Sequence, residues 1–132
     1  MERTFVILKP DALEKRVTGE IISRFEKKGI NIASLKMDMI EKNVAEVHYE
    51  HVRNLPIFTE MIDYMTSAPV IMMILEGDNV INTVRKMIGK TSCYESDPGT
   101  IRGDYGFHRY KNLIHASDSP ENAEIEIKRF FG

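Results

Sequence analysis

The apolar positions of the chain fall into short blocks with two different periods. Thr4-Phe5-Val6-Ile7-Leu8 is an unbroken β-branched and aromatic run closed by Lys9-Pro10-Asp11, the pattern of a buried strand ending in a turn. From Gly19 to Lys28, Ile21, Ile22 and Phe25 recur at helical spacing opposite Glu20, Arg24 and Lys27, and Gly29 is placed to end that helix. Ile30–Ile40 mostly alternates, through Ile30, Ile32, Leu35, Met37 and Met39, which predicts a second strand. Val44–Arg53 reads as a helix with Asn43 at its N-cap, and Pro56 opens another over Ile57–Met65. Val70–Leu75 is an uninterrupted apolar strand, and Asn79–Ile88 a helix stopped by Gly89. Lys90–Lys111 has no period and carries Pro98-Gly99, Gly103 and Gly106. It reads as a long loop with room for a helical turn, and loops of that length in compact domains usually carry function. Asn112–His115 is a short fourth strand, and Ser119-Pro120-Glu121 starts a final helix, Pro120–Phe131.

The order β-α-β-α-α-β-α-β-α contains a βαββαβ skeleton. That is the ferredoxin-like α+β arrangement: a four-stranded antiparallel sheet with helices on one face, plus inserted helices, in a single domain over residues 1–132. The remaining sheet face needs a cover, which predicts self-association.

Composition narrows the function classes. With 18 basic and 20 acidic side chains, the net charge of -2 gives no general attraction to nucleic acid or to an anionic membrane. Any phosphate binding must come from the local placement of Arg and Lys. No run approaches the roughly 18 apolar residues of a membrane span, and the N-terminus lacks a basic-then-apolar signal pattern. Cys93 is the sole cysteine, so an internal disulfide and a cysteine metal site are excluded; it reads as an unremarkable loop thiol. A cytoplasmic protein is expected.

The common phosphate motifs GxxxxGK[ST] and GxGxxG are absent, as are HExxH and CxxC. His48 and His51 lie three apart on the expected helix, a spacing that can bind metal. No acidic or cysteine partner set points to them, so they read as surface histidines. Lys90–Ser119 carries more information. Thr91, Arg102 and Asn112 surround the glycine-rich Pro98-Gly99-Thr100-Ile101-Arg102-Gly103-Asp104, and His115 leaves the fourth strand into Ala116-Ser117-Asp118-Ser119, open to a ligand.

These segments together resemble nucleoside diphosphate kinases. The matching pieces are Lys9-Pro10-Asp11, Gly19-Glu20-Ile21-Ile22, Arg24-Phe25-Glu26, His48-Tyr49, Pro69-Val70, Leu75-Glu76-Gly77, the Pro98–Asp104 loop and Asn112–Ser119. The resemblance covers essentially the whole chain, and its last two motifs are specific to that family. It implies a Mg²⁺-dependent, two-step transfer of a γ-phosphate between nucleoside tri- and diphosphates, through a phosphorylated His115. A neutral imidazole suits that role near pH 7. By position, Glu126 would bond the other ring nitrogen and Ser117 would support it. Lys9, Arg85, Thr91 and Arg102 would contact phosphates, Lys9 and Asn112 the sugar hydroxyls, and Tyr49 would sit beside the histidine and Lys9. The Mg²⁺ ion would be held by the phosphates, with Asp118 reaching it through water and no direct protein metal ligand.

Ile57 stands where the family usually has a base-stacking Phe, and Arg109 where it has a small aliphatic residue. Thr91-Ser92-Cys93-Tyr94-Glu95-Ser96 also departs from the family's usual loop, which helps trimers form in hexameric members. A homo-oligomer is implied, a hexamer more than a tetramer. The competing readings are a catalytically weak regulatory or nucleic-acid-binding relative, which the intact His115 set and the charge oppose, and an adenylate-kinase-like enzyme, which the missing P-loop opposes.

Overall fold

A computed structural model describes residues 1–132. Strands β1 (Glu2–Leu8), β2 (Asn31–Asp38), β3 (Val70–Gly77) and β4 (Ile114–Ala116) form one antiparallel sheet in the order β2-β3-β1-β4. The two unbroken apolar runs, β1 and β3, are the central pair, with Phe5 opposite Ile74 and Ile7 opposite Met72. They lack the alternation of a half-exposed strand because helices cover them on both sides.

On one side, Val6, Leu8, Met73 and Leu75 pack with α2 (Thr18–Lys28), α5 (Val80–Ile88) and Ile101 of α6 (Ile101–Tyr105). On the other, Phe5, Ile7, Met72 and Ile74 pack with α3 (Lys42–His48), α4 (Phe58–Met65) and α7 (Pro120–Phe131). There Phe5 stacks on Phe130, with ring centroids 4.9 Å apart. The inserted α3–α4 pair and the final helix thus cover the second face of the central strands. Exposed apolar surface is left on and just after edge strand β2, where Leu35, Met37 and Met39 are 49%, 60% and 48% exposed.

Most boundaries follow the sequence signals. Gly29 ends α2 at φ 96°, and the Ser119 hydroxyl accepts from the Asn122 N–H to cap α7. The helix expected over Val44–Arg53 is different. It begins after Glu41, so Asn43 lies inside it and is not the cap, and it ends at His48. A 3₁₀ turn, Glu50–Val52, follows, and no Gly or Pro marks the change. A further helix, α1 (Pro10–Glu14), occupies the turn after β1, with Pro10 in its first turn.

That first turn holds a buried clamp. The Asp11 carboxylate accepts from the Tyr64 hydroxyl and, at 3.0 Å, from the Leu113 N–H. The Tyr64 oxygen accepts in return from the Asp11 N–H at 2.8 Å. Leu113 sits at φ 73°, a left-handed conformation that costs a bulky residue about 1–2 kcal/mol. It is sustained because the Lys9 N–H also bonds its carbonyl, at 2.8 Å, so both backbone groups of the buried residue are satisfied. Burial and the Asp11 bond push the Tyr64 phenol well above its ordinary range. Tyr64→Phe leaves the carboxylate one donor short and should lower the unfolding free energy by about 1–3 kcal/mol in urea titration. An unchanged midpoint would mean that the clamp carries no net weight.

Candidate active site

A cleft of about 840 Å³ is bounded by α3 and its 3₁₀ turn, the loops flanking α6, the end of β4 and α7. In β4, Ile114 and Ala116 point into the core under α5, so strand alternation sends His115 to the opposite face, toward α7. Its side chain is 23% exposed, accessible from the cleft but not free. His115 Nε2 lies 3.0 Å from Glu126 Oε1. The same oxygen accepts the buried Ser117 hydroxyl at 2.6 Å, and the Ser117 oxygen accepts from the Phe5 N–H at 3.3 Å. A carboxylate only accepts, so Nε2 carries the proton and Nδ1 is the lone pair left for chemistry.

Four basic or polar groups face this ring across the cleft. Lys9 Nζ donates to Asn112 Oδ1 at 2.8 Å, and Asn112 Nδ2 donates to the Thr91 carbonyl at 2.8 Å. Burial, with Arg102 nearby, lowers the Lys9 pKa to about 8. The Arg102 guanidinium donates to the carbonyls of Gly89, Lys90, Asn112 and Ile114. Four of its five N–H groups are thereby spent, and burial lowers its pKa to about 10. Arg85 uses one N–H on the Ala116 carbonyl at 3.1 Å and keeps the rest. Arg102 is carried on α6, whose N-terminus is capped by the Thr100 hydroxyl accepting from the Gly103 N–H at 3.0 Å. Gly103 is required there: a Cβ would stand 1.9 Å from the Asp97 carbonyl oxygen.

Tyr49 lines the cleft with Lys9 and His115. Its hydroxyl is buried without a hydrogen-bond partner, and burial pushes the phenol up, so it stays protonated at neutral pH. Asp118 stands at the rim, where the amide of Asn122 donates to it at 2.6 Å and holds its pKa below the carboxylate range. Arg109 and Tyr110 line the mouth of the cleft. Ile57 does not reach it. It lines an adjoining pocket of about 50 Å³ together with Met61, Tyr64 and Tyr110.

His48 corrects the sequence reading of two surface histidines. It is 6% exposed, and its ring meets His115 edge to face at 4.6 Å. Burial, then His115 and Arg129, lower its pKa to about 2. His51 remains exposed, at the cleft rim. The donor atoms of His48, His115 and Glu126 come within 4.8 Å of one another. They are hydrogen-bonded to Arg129 and Ser117, and a guanidinium beside them opposes a cation. Arg129 and Tyr110 are among the cleft residues that sequence reasoning missed. Arg129 reads there as a basic residue suited to the end of a helix, and Tyr110 as part of an aperiodic loop.

Residues 2–132 match the family model described as nucleoside diphosphate kinase. The chain is 61% identical to a nucleoside diphosphate kinase of Acetivibrio thermocellus, over 99% of this chain and 96% of that one. It is 52% identical to that of Methanothermobacter thermautotrophicus, over 99% and 87%. Its structure is similar to the apo enzyme of Encephalitozoon cuniculi, with a TM-score of 0.97, 45% identity and 100% and 90% coverage. It is likewise similar to the Halobacterium salinarum enzyme in complex with CDP, with a TM-score of 0.96, 39% identity and 98% and 87% coverage.

The lowered pKa of Lys9 would make anion binding at its ammonium pH-dependent. A phosphate group at Lys9 would bind the charged ammonium, so affinity should be full below pH 8 and fall as Lys9 deprotonates above it. Pyrophosphate titrated by calorimetry should bind about tenfold more weakly at about pH 9 than at about pH 7. Lys9→Arg should remove most of that difference, because a guanidinium stays charged over the range. A parent affinity that is flat with pH would place the anion away from Lys9.

Proposed function

The chain belongs to the nucleoside diphosphate kinase family, and from that membership we propose which of its groups move the phosphoryl group and how. The enzyme is a phosphotransferase that carries the γ-phosphate of a nucleoside triphosphate to a nucleoside diphosphate. The observation that carries the assignment to residues is the Glu126–Nε2 bond. It fixes one tautomer and leaves His115 Nδ1 as nucleophile.

In the first half-reaction the Nδ1 lone pair forms a bond to the γ-phosphorus and the bridging β–γ oxygen leaves with the diphosphate. In the second, a terminal oxygen of another diphosphate attacks that phosphorus and the P–N bond breaks, returning the lone pair to Nδ1. Glu126 stabilises the positive charge that develops on the ring, and Ser117 holds Glu126 in place. Because the two halves mirror each other, the enzyme equilibrates the pools of ribo- and deoxyribonucleoside triphosphates. Lys9, Arg85, Arg102 and Thr91 receive the phosphate oxygens, where preorganised donors meet the spread negative charge. The unpartnered Tyr49 hydroxyl supports a donor role toward the transferred group. Asn112, held on Lys9, is placed to bond a sugar hydroxyl.

The cleft fits Mg²⁺ as a companion of the nucleotide: Lys9, Arg85, Arg102, Arg109 and Arg129 in its lining suit phosphates that would carry the ion, and an ionised Asp118 stands at the rim. Bound there, Mg²⁺ neutralises phosphate charge and aligns the phosphates. The base would lie toward the mouth, beside Tyr110 and Arg109, with Ile57 contributing apolar surface from the adjoining pocket. No base-specific buried pair lines that mouth, which supports broad acceptance of purines and pyrimidines. The exposed Leu35, Met37 and Met39 support a homo-oligomer; the preference for a hexamer over a tetramer rests on the family resemblance alone. A cytoplasmic location fits a chain whose sole thiol, Cys93, is unpaired and in which no helix is long and apolar enough to cross a membrane.

Incubation with γ-labelled ATP should label the protein through an acid-labile, base-stable bond, and a different unlabelled diphosphate should remove the label. His115→Ala should abolish labelling while nucleotide binding persists; full transfer in that variant would sink the mechanism. Separately, Met37→Asp should lower the solution mass measured by light scattering. Unchanged mass would move the subunit contact away from β2.

A further inference from the structure

We propose that Arg129 is a positioning residue for the transfer: it holds His48 as a neutral hydrogen-bond acceptor, and so keeps Glu126 committed to the His115 ring. The inference rests on His115 as the nucleophile. Arg129 lies on α7 three residues after Glu126, half-buried at the wall of the cleft. It forms no ion pair with Glu126; its contact is a hydrogen bond from Nη1 to His48 Nδ1 at 3.0 Å. A guanidinium only donates, so Nδ1 of His48 presents a lone pair and the ring proton is on Nε2.

That arrangement decides what Glu126 can do. Its Oε1 takes both the His115 and the Ser117 bonds. Its Oε2 faces His48 Nδ1 at 3.9 Å. A proton on that Nδ1 would create a second imidazolium partner for the same carboxylate, in a poorly solvated site where such a pair is strong. The carboxylate would then be shared between two rings, and the orientation of His115 would loosen. Arg129 occupies the position that the proton would take.

The groups facing His48 are His115 from β4, Glu126 and Arg129 from α7, His51 from the 3₁₀ turn and Lys9 from the end of β1. Tyr49 and Phe130 pack edge to face on its ring, with centroids 4.8 Å and 5.3 Å away. Burial and the neighbouring cations all oppose a charge on His48, and Glu126 alone favours one. Of the cations, Arg129 is the one hydrogen-bonded to Nδ1. Its removal vacates that nitrogen and takes away a positive neighbour. The balance then moves toward protonation and pairing with Glu126.

Two measurements test this. Imidazole NMR should show His48 neutral in the parent from about pH 8 down to about pH 5, and titrating within that range in Arg129→Leu. Single-turnover phosphorylation by ATP should acquire an extra acid limb in Arg129→Leu. By about pH 6 the rate should fall roughly tenfold below the parent's, the size expected from losing one charge-assisted bond, while the KM for ATP near pH 8 is little changed. The double variant H48N/R129L should lose the extra limb, since an amide at position 48 cannot take up a proton as pH falls. The proposal is overturned if His48 titrates in the parent, if R129L keeps the parental profile, or if the limb persists in the double variant. A rise in KM with no change in pH dependence would instead make Arg129 a direct phosphate contact. Absence of label on His115 would defeat the nucleophile assignment, and the NMR titration would still report on His48.

Discussion

The Arg102 guanidinium is where the fold and the chemistry meet. Its donors close on the carbonyls of Gly89 and Lys90 at the end of α5, of Asn112 before β4, and of Ile114 within β4. The Lys90 carbonyl also accepts from the Ser96 hydroxyl and the Asn112 carbonyl from the Ile114 N–H, so Arg102 adds a second donor to these two and supplies a side-chain donor to Gly89 and Ile114 at a partly buried junction. One cation therefore stitches the long loop to the strand that carries His115. Lysine could not do this, since a compact ammonium has three donors and no planar fork. The cost is that most of Arg102 is already committed, leaving one N–H for a substrate. Arg85 and Lys9, each with a single protein bond, keep more donors free. The cleft thus combines a rigid structural cation with two more available ones.

Precision at His115 is likewise inherited from backbone. The ring is reached through a strained Leu113 held by Asp11 on one side and by the Lys9 backbone on the other. The Lys9–Asp11 segment therefore supplies both an ammonium lining the cleft and the clamp that sets the strand's entry. Glu126 approaches from α7, whose Phe130 stacks on Phe5 in β1, next to the strand bearing His115. A shift of α7 would move the carboxylate relative to the imidazole, so core packing and tautomer control are linked.

Much of this was legible in the residues. Unbroken runs marked the two central strands, and Gly29, Gly89 and Ser119 marked helix ends correctly. The residues assigned to the site by resemblance come to one cleft, except Ser117, which sits behind Glu126, and Ile57, which lines the neighbouring pocket. What was illegible depended on tertiary packing. The α1 turn is only five residues long and buries Asp11, a residue type that sequence reasoning places in solvent. His48 lies among Glu46, Glu50 and His51, the composition of a wet helix face, yet α3 turns it inward against His115 and Phe130. The break after His48 has no local signature. Arg129 satisfies the expectation for a helix end so well that nothing hints at its contact with His48.

The charge balance of the cleft follows from these placements and opposes folding. Sequestered from water beside Arg102, the Lys9 ammonium has its pKa reduced from 10.5 to about 8, so holding it charged near neutral pH costs the folded chain about 3 kcal/mol relative to the unfolded one. The sign is that of a base with a lowered pKa: the cost is fully present below pH 8, shrinks as pH rises toward 10.5 and vanishes above it. Arg102 bears a similar penalty from burial. A chain with a net charge of only -2 gains nothing globally from this concentration of like charge. A triphosphate entering the cleft reverses the balance, because it supplies the anions that the two cations lack. Binding is thereby coupled to stability, and substrate tightens the architecture that its own chemistry requires. The free enzyme keeps its cations poised against one another, which explains why they are pinned by backbone carbonyls and amides and not by carboxylates that would compete with the substrate.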